Sequence, residues 1–489
     1  MAAEIKELYP QRLWEYFYDL TRIPRPTGHM EAVTRYIMET GKGLGLETVQ
    51  DGIGNVLIRK PASPGMEHLK PVTLQAHLDM VPQKNSATRH DFEKDPIDAY
   101  LESDGEWVTA RDTTLGADNG IGAAAILAVL ADDTLKHGPV EGLFTIDEEV
   151  GMDGAVNLKP GFLRGEMMLN LDSEQEGELF VGCAGGADLN ISFQFKEDKE
   201  IPEGDVAVKL SLTGLKGGHS GVDIHLGRAN ANKLMFRFLK EAVCDYGARL
   251  SWVEGGTLRN AIPREAFAGI TIPGDNVEAL WELVADYRDL FNEEYKGIEN
   301  TISFEAELTE LPATLIPEVI QDDLINAVEG CQNGVISMLA EFPGTVESSS
   351  NLAVVKSADE LIEIKILVRS SSESRKASVC SSLESVFALA GARVEYGNSY
   401  PGWQPNAHSP LLKVMEDTYR ALWQTAPAVK VMHAGLECGI ILAQYPRLDI
   451  VSFGPTIEHP HSPDERVNVP SVRKFWEYLT ATLERIPGK

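Results

Sequence analysis

The sequence predicts an α/β fold interrupted by an inserted α+β region, and three observations carry that expectation. In the N-terminal third, helical periodicity alternates with short apolar runs, as in a sheet flanked by helices. In the middle, strand-like segments alternate in polarity, as strands with one wet face do. Near the C-terminus the first pattern returns. The expected division is 1–186 and 401–489 for one domain built on a mixed sheet, with 187–400 inserted in it.

Each element has its own signal. Leu13–Leu20 and Met30–Gly41 read as helices. PVTLQAHLD, GLFTIDEE and EMMLNLDSE each read as a short apolar strand running into acidic or imidazole groups. Ile121–Leu130 is almost wholly apolar and reads as a buried helix. In the middle, Val206–Thr213 alternates like a half-wet strand, Ala229–Val243 reads as a helix, and strands and helices follow to about Tyr396. LDIVSFGP is again a strand, and Val472–Ile486 an amphipathic helix. The middle also holds an internal repeat. SWVEGGTLRNAIPREAFAGITI matches SMLAEFPGTVESSSNLAVVKSADELIEIKILV in the order strand, Gly-Thr turn, Asn, strand, so two similar α+β units are expected there.

Composition excludes several partners. A formal charge of −30, from 44 basic against 74 acidic side chains, repels nucleic acid and anionic lipid. The segment MAAEIKELYPQRLWEYF is charged throughout and lacks the apolar centre of a signal peptide. The longest helix-like apolar run, Ile121–Ala131, is too short to span a bilayer. Cys183, Cys244, Cys331, Cys380 and Cys438 are scattered and form no CxxC pair, which fits a reducing cytoplasm.

The chemistry lies where strands end. His77 and Asp79 follow one apolar strand, Glu148 and Glu149 another, and Asp172 a third; His461 lies in EHPHSPDE, and Asp118 just before the buried helix. Open α/β sheets place their sites beyond the carboxyl ends of strands, so these residues can converge although distant in sequence. Imidazole and carboxylate are zinc ligands. A two-metal site needs one bridging carboxylate, and Asp118 is the natural bridge. His77 and Asp172 could complete one ion, and Glu149 and His461 the other. Asp79, two residues after His77 in an extended segment, points to the same side and could orient the imidazole. An extended chain would send Glu148 and Glu149 in different directions, one to metal and one to act as a base. Gly120, Gly122 and Ala125 also fit a dinucleotide-binding pattern, but no strand leads directly into them, and close packing in the buried helix accounts for the small residues.

HLDM, GADNGIG, DEEVG, LDSE and HSPDE, in this order and spacing, resemble the motif series of the M20 metallopeptidases, and the match runs from about Gln75 to the C-terminus. GLKGGHSG, GGTLRNAIPRE and HAGLECG resemble the aminoacyl-histidine dipeptidase branch of that family. The resemblance implies a zinc-peptidase-like catalytic domain with two Zn2+, for which Co2+ or Mn2+ could substitute, and an inserted lid. It implies metal ligands at His77, Asp118, Glu149, Asp172 and His461, a base at Glu148, and support from Asp79. His461 is preferred to His459 because the family pattern is a His followed four residues later by Glu, here Glu465. Substrate-binding positions carry over to His219, Asn260 and Arg369, with Gly435 and Glu437 lining the cleft and His433 structural. The implied substrate is a dipeptide with a free C-terminus, Xaa-His preferred. The alternative is a tripeptidase or an N-acyl amino acid deacylase on the same fold. A homodimer is possible, but two lid units in one chain imply that one chain assembles a whole site. The lid would hinge near Gly185–Gly186 and Pro401–Gly402, where glycines allow unusual backbone angles.

Overall fold

Runs that are apolar without alternation become strands buried on both faces. In the computed structural model, which describes residues 2–489, Val72–His77, Val140–Thr145 and Met167–Asn170 are buried at every position. Parallel strands covered by helices require this. Val72–His77 lies between the other two, parallel to both, and Asp449–Ser452 continues the parallel set beside Met167–Asn170. Antiparallel strands Glu47–Gln50 and Val56–Lys60 extend one side. Glu178–Cys183 and Ala428–Met432 complete an eight-stranded mixed sheet. Because the central strands are parallel, the segments that leave them towards Asp79, Glu148 and Asp172 emerge on one edge.

Helix Ala117–Ala131 packs against this sheet and is buried at nearly every position. Its small residues serve contact. A Cβ at Gly122 would stand 2.7 Å from the Leu171 carbonyl oxygen, and one on facing Gly142 would stand 2.5 Å from the Ile126 side chain. Among the described residues no helix is long and apolar enough to cross a membrane.

The chain divides into two units. The first runs to Gly182 and includes Pro405–Val431 and Leu436–Lys489; the second is Cys183–Gln404 with Met432–Gly435. The crossings thus fall at 182/183 and 404/405, where the sequence reading put 186/187 and 400/401, and part of HAGLECG joins the second unit. Cys183 and Trp403 exchange two backbone hydrogen bonds of 2.9 Å, which draws both chain crossings into the second unit.

That unit is built on one antiparallel sheet of nine strands, eight of them from two nested repeats. The inner repeat runs strand Asp205–Thr213, helix Ala231–Tyr246, strands Arg249–Gly255 and Ala266–Pro273, helix Val277–Glu294 and strand Ser303–Thr309. The outer repeat has the same order: strand Gly185–Gln194, helix Glu318–Gly330, strands Val346–Ala358 and Leu361–Ser370, helix Glu373–Leu389 and strand Arg393–Tyr400. In both, the strands lie in the spatial order fourth, first, third, second. The inner repeat is inserted after the first strand of the outer one. Their second strands meet edge to edge, Glu254 opposite Lys356 and Gly255 opposite Val355, over one apolar core that includes Phe193, Phe236, Phe304 and Phe387.

The repeat is therefore present in a different register from the one expected. Gly256-Thr257 follows the second strand of the inner repeat, whereas Gly344-Thr345 precedes the second strand of the outer one and turns back from the extra strand Gly334–Met338. A strand–turn–strand order is common to every hairpin, so it aligned the wrong pair. The glycines at the expected hinge do not take left-handed angles. Gly185, Gly186 and Gly402 have no positive φ. They permit close approach instead: a Cβ on Gly185 would lie 2.5 Å from the Gly402 nitrogen.

Candidate active site

Three parallel strands of the first unit bring His77, Glu149 and Asp172 together, and Asp118 at a helix start and His461 in a loop join them. One Asp118 oxygen lies 3.0 Å from His77 Nε2, and the other lies 3.2 Å from His461 Nε2. Asp172 approaches the same His77 nitrogen at 3.3 Å, and Glu149 approaches His461 at 3.1 Å. Three groups have ligand atoms within 4.8 Å of one another: His77–Asp118–Asp172, Asp118–Glu149–His461 and His77–Glu148–Glu149. Asp118 is common to the first two.

Asp79 ties this cluster to the Glu148–Glu149 pair. Its Oδ1 lies 3.3 Å from His77 Nδ1. The same carboxylate accepts the backbone N–H groups of Glu148 and Glu149 at 3.0 and 3.2 Å and the Thr27 hydroxyl at 2.9 Å. An acid at this place satisfies free N–H groups at a helix start. Glu148 and Glu149 are not extended, as the sequence reading assumed. They open the one-turn helix Glu148–Gly151, so their side chains diverge by helical rather than strand spacing.

Two supports were missed or only half seen. Glu465, which served in the sequence only to choose between two histidines, is fully buried. Its carboxylate accepts the backbone N–H groups of Leu115, Gly116, Ala117 and Asp118 at 2.7–3.2 Å. It thereby fixes the loop that presents the shared ligand. Arg25, also buried, donates to the carbonyls of Leu78, Asp79 and Gly116 and joins the His77 segment to that loop. Gly116 must be glycine, since its φ is 72° and a Cβ would stand 2.6 Å from the Arg25 guanidinium.

The electrostatics suit cations. Burial alone would lower the His77 pKa, but Asp172, Asp118 and Asp79 drive it well above the ordinary imidazole value. Hydrogen bonds to Asp118 and Glu149 push His461 up to about 11. In the protein alone, protons on two imidazoles thus offset the gathered carboxylates. Glu149 Oε1 and Asp172 Oδ1 are buried without a hydrogen-bond partner, as carboxylate oxygens awaiting a metal would be. Burial raises Glu148 well above the usual carboxylate range, with Asp172, Glu437 and Glu149 adding to the effect and His77 opposing it.

Glu437 corrects the sequence reading, which put it on the substrate cleft. It is wholly buried among the strands that lead to the ligands. It accepts hydrogen bonds from Gln75 at 2.7 Å and Thr145 at 2.8 Å, and Gln75 in turn accepts from Asn170. Gln75 and Asn170 each precede a candidate ligand by two residues, so they share its face of the sheet. Burial raises the Glu437 carboxyl to about 8. Gly435 is half-buried and belongs to the second unit.

The second unit gathers a different set. His219 pairs with Ala261 in a two-stranded ladder, and the Asn260 carbonyl accepts the Ser220 N–H at 2.8 Å. His219 Nδ1 accepts two backbone N–H groups, from Gly221 and Val222, at 3.1 Å each. The neutral ring must then carry its proton on Nε2. Burial and nearby Arg369 lower its pKa and favour that neutral form. Arg369 is 4% exposed, donates to the Tyr400 hydroxyl at 2.9 Å, and leaves Nε without a partner. A Cβ on Gly221 would stand 3.0 Å from the His219 ring and 3.2 Å from Arg369 Nε, so the two groups share one small space. His433 bonds to the Ser349 hydroxyl at 2.7 Å, and burial lowers its pKa to about 3, with Arg369 and His219 contributing. Asn260 has an exposed side chain.

A sheet with acids and imidazoles gathered in this way suits a metal-dependent hydrolase, and the chain belongs to Peptidase family M20/M25/M40, whose model matches residues 73–485. It is 47% identical to the cytosol non-specific dipeptidase of Escherichia coli K12, over 100% of both chains. Its fold matches the crystal structure of aminoacylhistidine dipeptidase from Vibrio alginolyticus with a TM-score of 0.94 and 48% identity, covering 99% of this chain and 98% of that one. Aminopeptidase PepT from Bacillus cereus, at TM-score 0.57 and 16% identity over 98% and 99% of the two chains, shares the fold alone.

Proposed function

We propose that this chain is a di-zinc dipeptidase that cleaves dipeptides with a free C-terminal carboxylate and favours Xaa-His. The observation that carries the reading is Asp118, whose two oxygens face His77 on one side and His461 on the other. His77 and Asp172 would hold one ion and Glu149 and His461 the other, with Asp118 between them. Bound there, the metals would polarise the scissile carbonyl and make water acidic enough to attack near neutral pH. Glu148 would take a proton from the attacking water and return it to the leaving amine. Asp79 keeps His77 and the Glu148 turn in register.

The second unit would supply the substrate-binding groups. His219 offers an Nε2–H donor to the oxyanion, Arg369 pairs with the substrate carboxylate, and Asn260 adds an amide. His219 and Asn260 come from the inner repeat and Arg369 from the outer one. The full-length likeness to two proteins named as dipeptidases supports the substrate class.

The test is a substrate panel on purified, zinc-reconstituted protein. Free dipeptides should be cleaved with Xaa-His fastest, while C-terminally amidated dipeptides, tripeptides and N-acyl amino acids should be poor substrates. Equal efficiency on free and amidated dipeptides would refute the carboxylate anchor. Faster turnover of acyl amino acids or tripeptides would move the function elsewhere in the family.

A further inference from the structure

Asn351 is almost wholly buried, 1% exposed, on the second strand of the outer repeat. It is the Asn of the second segment of the internal repeat, which the sequence pattern aligns with Asn260. The structure makes it a contact instead. Its amide nitrogen donates to the Arg259 carbonyl at 3.2 Å and the Ala261 carbonyl at 2.8 Å, the two that flank Asn260. The Asn260 carbonyl between them accepts from Ser220, the residue after His219. Three successive carbonyls are therefore held, two by one side chain of the other repeat.

The Arg259 side chain makes a second anchor. Its guanidinium donates to the carbonyls of Leu189 and Ile366 at 3.2 Å each and to the Asn190 side chain, and lies 3.3 Å from the Asp188 carboxylate. All four partners belong to strands Gly185–Gln194 and Leu361–Ser370 of the outer repeat. Gly256 admits the loop to this seam: its φ is 72°, and a Cβ would stand 1.8 Å from the Ala353 carbonyl oxygen. Within the held triplet Asn260 is the exposed side chain. The backbone is fixed on every side while one amide is left available, as a binding group needs.

We infer that Asn351 and Arg259 are positioning residues, through which the outer repeat sets the placement of Asn260 and, through Ser220, of His219. This rests on the proposed role of Asn260 towards substrate. Asn351 is suited to the task because one amide nitrogen carries two donors; a carboxylate of the same shape would set acceptors against acceptors.

A double-mutant cycle on the full zinc-loaded chain tests it, with kcat and KM on a free dipeptide, bound zinc and Tm recorded for each variant. Asn351→Ala should keep its zinc and lower kcat/KM by about tenfold or more, and should cause little further loss in an Asn260→Ala background. Arg259→Lys, which keeps the charge but loses the fork, should show the same non-additivity and serves if Asn351→Ala folds poorly. Wild-type kinetics in the single variants, or the same loss with and without Asn260, would overturn the inference. An Asn260→Ala enzyme of full activity would instead remove the substrate role of Asn260 on which it rests.

Discussion

The polar cluster of the first unit is built from acids, and that of the second from amides, imidazoles and a guanidinium. In the first, Asp118, Glu149, Asp172, Glu148 and Asp79 surround two imidazoles that carry raised pKa values. In the second, His219 and His433 are pushed towards their neutral forms beside buried Arg369. Peptide hydrolysis needs both characters. Anionic ligands hold the metal ions, while donors stabilise the negative charge of the tetrahedral intermediate and of the substrate carboxylate. The clusters are also held differently. The acidic one hangs from the ends of parallel strands, and the donor cluster depends on two repeats being nested in one sheet.

The sharpest way to break this division is within the acidic pair. Glu148→Gln should leave fold and zinc content intact and lower kcat by about 10²–10⁴-fold, since an amide accepts no proton. Glu149→Gln should instead lose zinc. If metal analysis found the loss in Glu148→Gln and not in Glu149→Gln, the two roles would have to be exchanged.

A smaller effect tests the donor cluster. Arg369→Ala should cost about 2 kcal/mol or more, roughly thirtyfold in kcat/KM on free dipeptides. It should change little on amidated ones. An equal loss on both substrates would show that Arg369 supports the fold rather than the carboxylate.

The smallest effect is on pH. His461 in the metal-free protein stays protonated up to about 11 because Asp118 and Glu149 hold the proton. That contact favours the folded state fully below the ordinary imidazole pKa and fades as pH rises through about 11. Zinc must displace the proton, so its apparent affinity should fall as pH falls, by about tenfold per unit for each proton displaced. Calorimetry in buffers of different ionisation enthalpy reads that release directly; no proton release at neutral pH would contradict the assignment of His461.

Much of the acidic cluster was legible because each group sits in a short motif. His77, Glu149 and Asp172 needed only that three parallel strands be neighbours, whereas Asp118 at a helix start and His461 in a loop between two strands of a separate sheet are brought in by longer-range contacts. Arg25 was invisible: an arginine between two prolines reads as surface, and its burial depends on the Leu78 and Gly116 carbonyls meeting from distant segments. Glu437 was misplaced because nothing in LECG says whether the carboxyl turns to solvent or to Gln75. The α/β class and the two α+β repeats were readable from periodicity. Their register was not, since local pattern cannot tell one hairpin from another, and the nesting of one repeat within the other is set by long-range pairing.

The most direct test of the two-metal account is a zinc titration of chelated protein, with bound metal and dipeptide turnover measured on the same samples. A two-metal site requires no turnover without metal, two zinc ions bound per chain at saturation, and full activity only as the second site fills. Undiminished hydrolysis by rigorously metal-free protein would contradict it.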